Sequence, residues 1–142
     1  MKKLGKKINN FGRTASHRQA MMSNMACSLI QHGHVTTTAA KAKFLRSMVE
    51  KLVTRAKVDS LHNRRVVLST LRSWTAVNRL FTAVAPACRT RAGGYLRIVR
   101  LGLRLSDNSD MAIISFVDQP VAAAAATAAV KPAKPAKTAK KK

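Results

Sequence analysis

The chain of 142 residues carries 27 Lys and Arg against only 5 Asp and Glu, which gives a formal net charge of +22 at pH 7. This excess predicts a polyanionic partner, most simply nucleic acid, and leaves no obvious carboxylate pair for catalysis. Because 46% of the residues are hydrophobic, the chain is not a disordered polycation throughout. The aromatic content of 4% argues against a protein that stacks rows of bases.

The few acids are unevenly placed along the chain. None precedes Glu50, although nine Lys or Arg residues do, and nine Arg but no acid lie between Asp59 and Asp107. Segments with this imbalance repel one another when the chain is compact, unless a polyanion neutralises them. The distribution therefore strengthens the expectation of a nucleic-acid partner.

Three segments differ in composition. Residues 1–12 form a basic N-terminal arm, residues 13–119 form one folded domain, and residues 120–142 form a Lys-, Pro- and Ala-rich tail, expected to be disordered. No run of eighteen apolar residues occurs and the N-terminus lacks the apolar core of a secretory signal. We therefore expect no membrane span and a cytoplasmic location, with organelle targeting as a minor alternative. Cys27 and Cys88 are isolated, and we expect reduced core or boundary residues.

The first predicted helix is followed by a short strand. Ser16 and Gln19 are spaced as a capping box, which predicts that the helix begins here. Its apolar residues recur every four positions, as Met21/Met22, Met25/Ala26 and Leu29/Ile30. Gly33 is expected to end the helix, because the residue after a helix often has a positive φ. Residues 34–38 are rich in β-branched side chains and predict a strand, and Thr38 can cap the next helix.

Three more helices are predicted. The second has a continuous apolar stripe of Phe44, Leu45, Met48, Val49, Leu52, Val53 and Ala56. Its remaining surface is basic, with Lys41, Lys43, Arg46, Lys51 and Arg55. Asp59 or Ser60 is expected to cap a third helix that carries Leu61, Val66, Val67, Leu68 and Leu71. Ser73 is expected to cap a fourth, ended by Pro86, that carries Trp74, Val77, Leu80, Phe81 and Val84.

A β-hairpin is predicted after the helices. Residues 95–105 and 111–117 are rich in strand-forming residues, and the polar residues 106–110 between them suit a turn. Gly102 within the first strand predicts a bulge or a close backbone contact. The fold class is therefore α+β, with about four helices packed on a small sheet that contains a C-terminal hairpin.

The inventory of reactive side chains does not predict an enzyme or a metal protein. Asp107 and Asp110 lie in the predicted turn, where Asp is expected for backbone hydrogen bonding. His32 and His34 flank a glycine, but no Cys cluster or His-rich motif supplies further metal ligands. We therefore expect no catalytic residue, no cofactor and no metal site.

Basic side chains cluster where three helices begin, and these clusters predict phosphate binding. Free N–H groups at a helix N-terminus attract anions, and basic neighbours add to this attraction. Each cluster alone could be a solvated face, but jointly they lack nearby acids that would balance them. The candidates are Arg13, His17 and Arg18 in the first helix, Lys41, Lys43 and Arg46 in the second, and Arg64 and Arg65 in the third.

The segment 89–98 is the sharpest local signal for RNA. Gly93 and Gly94 remove side chains where a backbone can approach RNA closely, and arginines on both sides can bind phosphates bidentately. Tyr95 can either stack on a base or close the core, and the sequence does not decide between them. The arginines of this segment and of the strand that follows are Arg89, Arg91, Arg97, Arg100 and Arg104.

Several of these motifs together resemble the bacterial large-subunit ribosomal protein seventeen family over about residues 11–118. The matching pieces include Gly12-Arg13-x-x-x-His17-Arg18-x-Ala20, Thr36-Thr37-x-x-x-Lys41-Ala42-Lys43, Asn63-Arg64-Arg65 and Arg91-x-Gly93-Gly94-Tyr95-x-Arg97-Ile98. The resemblance implies an α+β protein that binds large-subunit ribosomal RNA near the exit of the nascent-chain tunnel. It implies a structural and assembly role beside neighbouring large-subunit ribosomal proteins, with no small-molecule substrate.

Two other functions are weighed against this one. A DNA-compacting protein would use the same charge, and the Lys-Pro-Ala tail resembles a linker-histone tail, although such composition suits any polyanion. A small enzyme acting on RNA lacks a convincing catalytic pair. The ribosomal RNA-binding hypothesis is therefore preferred.

Overall fold

The computed structural model describes residues 10–118. Most of the predicted arm and tail, residues 1–9 and 119–142, lie outside them. The elements are α1 (Ala15–His32), β1 (His34–Thr38), α2 (Ala39–Ala56), α3 (Leu61–Leu71), α4 (Trp74–Arg79), a π-helical turn (Leu80–Val84), α5 (Ala85–Ala87), β2 (Leu96–Leu103) and β3 (Asp110–Phe116). Since α4, the π turn and α5 are continuous, the described residues form four helices and a small sheet, and the predicted α+β class is confirmed.

Helix α1 begins two residues earlier than its capping box predicts. Thr14 occupies the N-cap position without a side-chain cap bond, and Ser16 lies inside the first turn. The predicted Ser16 cap is wrong because Ser16 is already helical, so its hydroxyl cannot reach the N–H of Gln19 as an N-cap does. The C-terminus is as predicted: Gly33 has a φ of 80° and donates its N–H to the carbonyl of Leu29.

Helix α2 lies across the core with the predicted face buried. Its fully covered residues include Leu45, Val49 and Val53, while Phe44 and Met48 are half-buried at one side of the stripe. Thr38 precedes the helix as its N-cap residue, but its hydroxyl makes no cap bond. The periodicity of the apolar residues therefore predicts the buried face of α2 correctly. This face is buried because it contacts several other elements at once.

The cap of α3 is resolved in favour of Ser60, whose hydroxyl accepts the N–H of Asn63. Only Val67 and Leu71 of this helix are fully buried, and Leu61 is 65% exposed. The predicted apolar set is thus partly wrong, because α3 packs along a narrow line instead of a broad face.

Two side chains of α1 hold the C-terminus of α3. The hydroxyl of Ser23, which is 3% exposed, donates to the carbonyls of Thr70 and Leu71 at 2.9 Å each. The thiol of Cys27 reaches the carbonyl of Leu71 at 3.4 Å. These donors satisfy carbonyls that the end of a helix leaves free. Cys88 is buried, so both cysteines are the free core or boundary residues that the sequence predicts, and burial raises their pKa.

The last helix does not stop at Pro86. Ser73 caps it as predicted, accepting the N–H of Ala76, but the helical backbone continues through the π turn to Ala87. Within the π turn, hydrogen bonds span five residues, so the N–H of Ala85 reaches the carbonyl of Leu80. Pro86, the second residue of α5, has no N–H to donate, so the helical backbone passes through it with one backbone hydrogen bond fewer.

The three strands form an antiparallel sheet in the order β1-β3-β2. The hairpin β2–β3 is as predicted, and Gly102 lies at the predicted bulge, with a φ of 100° and a register shift after Arg100. In the middle strand, Ala112, Ile114 and Phe116 point into the core. The helices cover this one side of the sheet, and none of the described helices is long and apolar enough to cross a bilayer.

Candidate nucleic-acid interface

Four arginines of the predicted site form ion pairs with acids of the same chain. The expectation that the basic clusters of the first three helices lack nearby acids is therefore wrong for Arg46 and Arg64. Each pair has a short contact, namely Arg46–Glu50 at 3.0 Å, Arg64–Asp59 at 2.6 Å, Arg91–Asp118 at 2.8 Å and Arg104–Asp107 at 2.6 Å. A phosphate that approached one of these arginines would meet a carboxylate already in place. These four side chains are consequently poorer phosphate ligands than a free cation.

The other basic candidates keep their charge unpaired. All five acids of the chain lie within residues 10–118, and Asp110 forms no ion pair there. Eight predicted Lys and Arg residues therefore have no acid partner in this part of the protein: Arg13, Arg18, Lys41, Lys43, Arg65, Arg89, Arg97 and Arg100. No carboxylate in this part of the protein balances their charge, so that charge is available to a polyanion.

The three basic residues at the start of α1 have different surroundings: two make hydrogen bonds within the protein, and one is exposed. Arg13 is partly buried and donates to the carbonyl of Phe11, and Arg18 donates to the side-chain carbonyl of Asn10 at 3.1 Å. Both bonds hold the turn in which Phe11 and Gly12 adopt positive φ angles. His17 is exposed and faces solvent. The three residues lie together as predicted, and the two arginines also position the chain before the helix.

The N-terminus of α2 brings together side chains that are distant in sequence. Lys43 of α2 and Arg100 of β2 line one cavity with the hydroxyl-bearing residues Thr38 and Ser109, and the acid Asp110 also lines it. The first turn of α2 contains no acid, and its N-cap residue makes no side-chain bond. The free N–H groups therefore add to the positive potential of the two cations.

The two arginines of α3 have different surroundings. The guanidinium of Arg64 binds both carboxylate oxygens of Asp59, at 2.6 and 2.7 Å, and lies 4.9 Å from the ring centre of Phe81. The hydrogen bonds from Arg64 lower the pKa of Asp59. Arg65 is exposed and has no acid partner within residues 10–118. Of this predicted pair, Arg65 is the one free to contact a phosphate.

Polar contacts on both sides fix the loop that carries the two glycines, residues 88–95 between α5 and β2, which we call the glycine loop. Arg91 binds both oxygens of Asp118, at 2.8 and 3.1 Å, and the Arg91 carbonyl accepts a hydrogen bond from the ammonium of Lys57. The hydrogen bonds from Arg91 lower the pKa of Asp118. The phenol of Tyr95 donates to the carbonyl of Ala92 at 3.3 Å. The loop is thus tied to the end of α2, to the residues after β3 and to the core.

The glycines themselves present open backbone. A side chain built at Gly93 or Gly94 would meet no atom within 4 Å, so the space in front of both residues is free for a partner. Gly94 has a φ of 69°, a conformation that favours glycine. The predicted close approach of RNA to this backbone is sterically possible.

The structure decides between the two roles of Tyr95. The side chain is 1% exposed and closes the core, so its ring cannot stack on a base and its place among the RNA-contact candidates is withdrawn. Its hydroxyl accepts a hydrogen bond from Thr54, and Lys57 lies 4.6 Å from its ring centre. Hydrogen bonding with Lys57, and then with Thr54, lowers the pKa of Tyr95. Tyr95 therefore supports the glycine loop through its hydrogen bond to the Ala92 carbonyl and its position in the core.

The hairpin presents arginines on two sides. Arg97 pairs in register with Ser115 and lies on the sheet face away from the helices, whereas Arg100, beside Ala112, lies on the helix side. Arg104 binds Asp107, whose carboxylate also accepts the N–H and hydroxyl of Ser109. These bonds hold the pKa of Asp107 well below its usual range. The predicted turn role of Asp107 is confirmed, while Asp110 begins β3.

Three cations outside the predicted set belong to this basic surface or support it. Lys51 and Arg55 are exposed on α2 and line one groove, and Lys57 holds the glycine loop. The spacing of four residues between Lys51 and Arg55 is the sequence signal that places them on one side of the helix. No group of three or more metal-ligating side chains occurs in residues 10–118.

The comparisons with known proteins agree on one family. The family model described as Ribosomal protein L17 matches residues 21–117. The large ribosomal subunit protein bL17 of Flavobacterium johnsoniae is 54% identical over 114 residues, which cover 80% of this chain and 70% of the relative. The bL17 protein of Akkermansia muciniphila is 52% identical over 120 residues, covering 84% and 88%, and that of Bacteroides fragilis is 53% identical over 113 residues, covering 80% and 70%. The chain therefore belongs to the ribosomal protein L17 family, as its motifs indicate, and is a ribosomal protein and not an enzyme.

Proposed function

We propose that this protein is a structural constituent of the large ribosomal subunit in the bacterial cytoplasm, where it binds large-subunit ribosomal RNA near the tunnel exit and supports subunit assembly. The relatives are named as large-subunit proteins, and the basic surface of this chain suits an RNA partner. Neighbouring large-subunit proteins are further partners in this proposal.

The observation that carries the proposal is the set of eight unpaired cations on a well-packed body. They come from the turn before α1, from α1, α2 and α3, from the loop between α5 and β2, and from β2: Arg13, Arg18, Lys41, Lys43, Arg65, Arg89, Arg97 and Arg100. Counterion release by such cations drives binding to any nucleic acid, and a fixed arrangement selects RNA of matching shape. Binding at several points would hold separate RNA segments together during assembly.

Sedimentation of a cell lysate in a high-salt sucrose gradient tests this function. We expect the protein to migrate with the large subunit after salt stripping, because specific binding to folded RNA survives conditions that remove loose polycations. Deletion of residues 120–142 should leave this migration largely intact. Release to the top of the gradient, or recovery with chromosomal DNA, would contradict the proposal and favour DNA compaction.

The position near the tunnel exit has its own test. A nascent chain stalled on the ribosome and carrying a photoreactive residue about where it leaves the tunnel should cross-link to this protein. Cross-links only to other subunit proteins, from every probe position, would refute the position but not the RNA-binding function.

A further inference from the structure

A groove between α2 and α3 combines an apolar floor with a basic rim. It has a volume of about 470 Å³, which lies within the range of roughly 300–1,000 Å³ typical of small-molecule sites. Its floor is formed by Phe44, Met48, Leu52 and Val66, and its rim carries Lys51 and Arg55. None of the RNA-contact residues predicted from the sequence lines this groove.

The rim carries two positive charges, and one acid, Glu50, lines a neighbouring cavity with both of them. Lys51 and Arg55 lie one helical turn apart, and both side chains are exposed. Neither forms an ion pair with an acid of residues 10–118, and the only acid of α2, Glu50, is bound by Arg46 at 3.0 Å. The groove therefore attracts an anionic group to its edge.

The floor is a fixed apolar surface that the fold does not cover. Phe44 and Met48 pack against the core but remain half-exposed. The Phe44 ring meets Phe11 edge-on, with ring centres 5.8 Å apart and planes at 90°, which orients the ring. Arg18 of α1 lines a second cavity that shares Phe44 and Met48 with the groove. A third cation therefore lies close to the same apolar side chains.

We propose that this groove binds one unstacked nucleotide of single-stranded RNA, with its base against Phe44 and Met48 and its phosphates on Lys51 and Arg55. Only an occupant with an apolar face and a nearby negative charge satisfies both parts of the groove. A base within a helix offers phosphates alone, whereas unpaired nucleotides offer a base that can leave the stack. An apolar protein side chain would cover the floor but leave the two cations without an anion.

This inference rests on the proposed RNA-binding function and names one subsite of it. It predicts that part of the affinity for RNA depends on a base and not only on phosphate charge. Base stacking on an aromatic side chain corresponds to an affinity change of about 5- to 150-fold. A site that only attracts phosphates would show no such dependence.

Two probes of equal charge separate these cases in titrations of the full chain. The probes are pentaadenylate and a ribose-phosphate pentamer without bases, and the readout is the methyl resonance of each methionine. We expect pentaadenylate to bind at least fivefold more tightly and to shift the Met48 methyl. Met25, which lies in α1 and lines neither this groove nor the cavities that contain Arg18 or Lys43, is the internal control and should not shift.

Two variants assign the effect to the groove. In the double variant Lys51→Gln/Arg55→Gln, the Met48 shift should require a several-fold higher concentration of pentaadenylate, because the phosphate contacts are lost. The control Arg72→Gln also removes an exposed cation, but Arg72 does not line the groove, and this variant should leave the Met48 titration within twofold of the wild type. Equal affinity for the two probes, or no shift of Met48, would overturn the proposal.

Intact large subunits provide the second measurement. Ultraviolet irradiation followed by mass spectrometry should find a nucleotide adduct within residues 44–55. If adducts occur elsewhere on the chain but never in this segment, or if Lys51 cross-links only to a neighbouring protein, the nucleotide subsite is refuted while the RNA-binding function stands. If the protein does not sediment with the large subunit at all, the proposed function itself fails.

Discussion

The division between paired and unpaired arginines can be tested on one hairpin. Arg100 has no acid partner in the described part of the chain, whereas Arg104 binds both oxygens of Asp107 at 2.6 and 2.8 Å. Both side chains are exposed. The perturbation is Arg100→Gln, compared with the double variant Arg104→Gln/Asp107→Asn, which removes one positive and one negative charge and leaves the net charge unchanged.

The magnitude follows from counting available cations. If each of the eight unpaired RNA-contact candidates predicted from the sequence neutralises one phosphate, these eight alone should give the logarithm of the binding constant a slope of about −6 to −7 against the logarithm of salt concentration. Affinity should then drop on the order of 10³- to 10⁴-fold between 50 and 200 mM salt. Arg100→Gln should make this slope shallower by about 1, because one counterion-releasing contact is lost. The double variant should keep the wild-type slope.

The assay is filter binding or fluorescence anisotropy with a fragment of large-subunit ribosomal RNA at five or more salt concentrations. Thermal unfolding of each variant, measured without RNA, serves as the folding control. The reasoning is refuted if the double variant loses as much slope as Arg100→Gln, because Arg104 would then contact phosphate despite its bound carboxylate. A nearly flat salt dependence of the wild type would refute the electrostatic mechanism as a whole.

Three further predictions concern the fold. Ile114→Ala, at a position that is 0% exposed, should lower the free energy of unfolding by about 2–5 kcal/mol, and an unchanged urea midpoint would contradict the assigned core. Ser23→Ala should lower the free energy of unfolding by about 1–3 kcal/mol, because two carbonyls at the end of α3 lose their buried donor. Ser23→Thr keeps a hydroxyl, and its free energy of unfolding, measured by the same denaturation experiment, provides the comparison. Arg91 lowers the pKa of Asp118 in the folded protein, so this pair stabilises the fold above the unfolded pKa of about 3.9. That contribution is lost as the pH falls through the folded pKa. Thermal unfolding between pH 2 and 7 should therefore show a weaker loss of stability on the acid side for Asp118→Asn than for the wild type.

Local patterns in the sequence determined the elements and the class of partner. The stripe of α2, the glycine after α1 and the polar turn between β2 and β3 depend on residues a few positions apart, so their periodicity and turn chemistry are visible in the chain. The excess of Lys and Arg likewise indicates a polyanion without knowledge of the fold. The capping box at Ser16 fails because Thr14 occupies the N-cap position, and motif spacing alone does not locate that residue.

The tertiary structure decided which residues meet. β1 pairs with β3, although more than 70 residues separate them in the chain, and Arg91 reaches Asp118 across 27 positions. Such contacts depend on how the helices and the sheet pack, and no periodic pattern encodes them. The same packing buries Tyr95 and leaves Lys51 and Arg55 beside an apolar groove. Net charge therefore indicates that the protein binds a polyanion, but only packing decides which cations remain free to bind it.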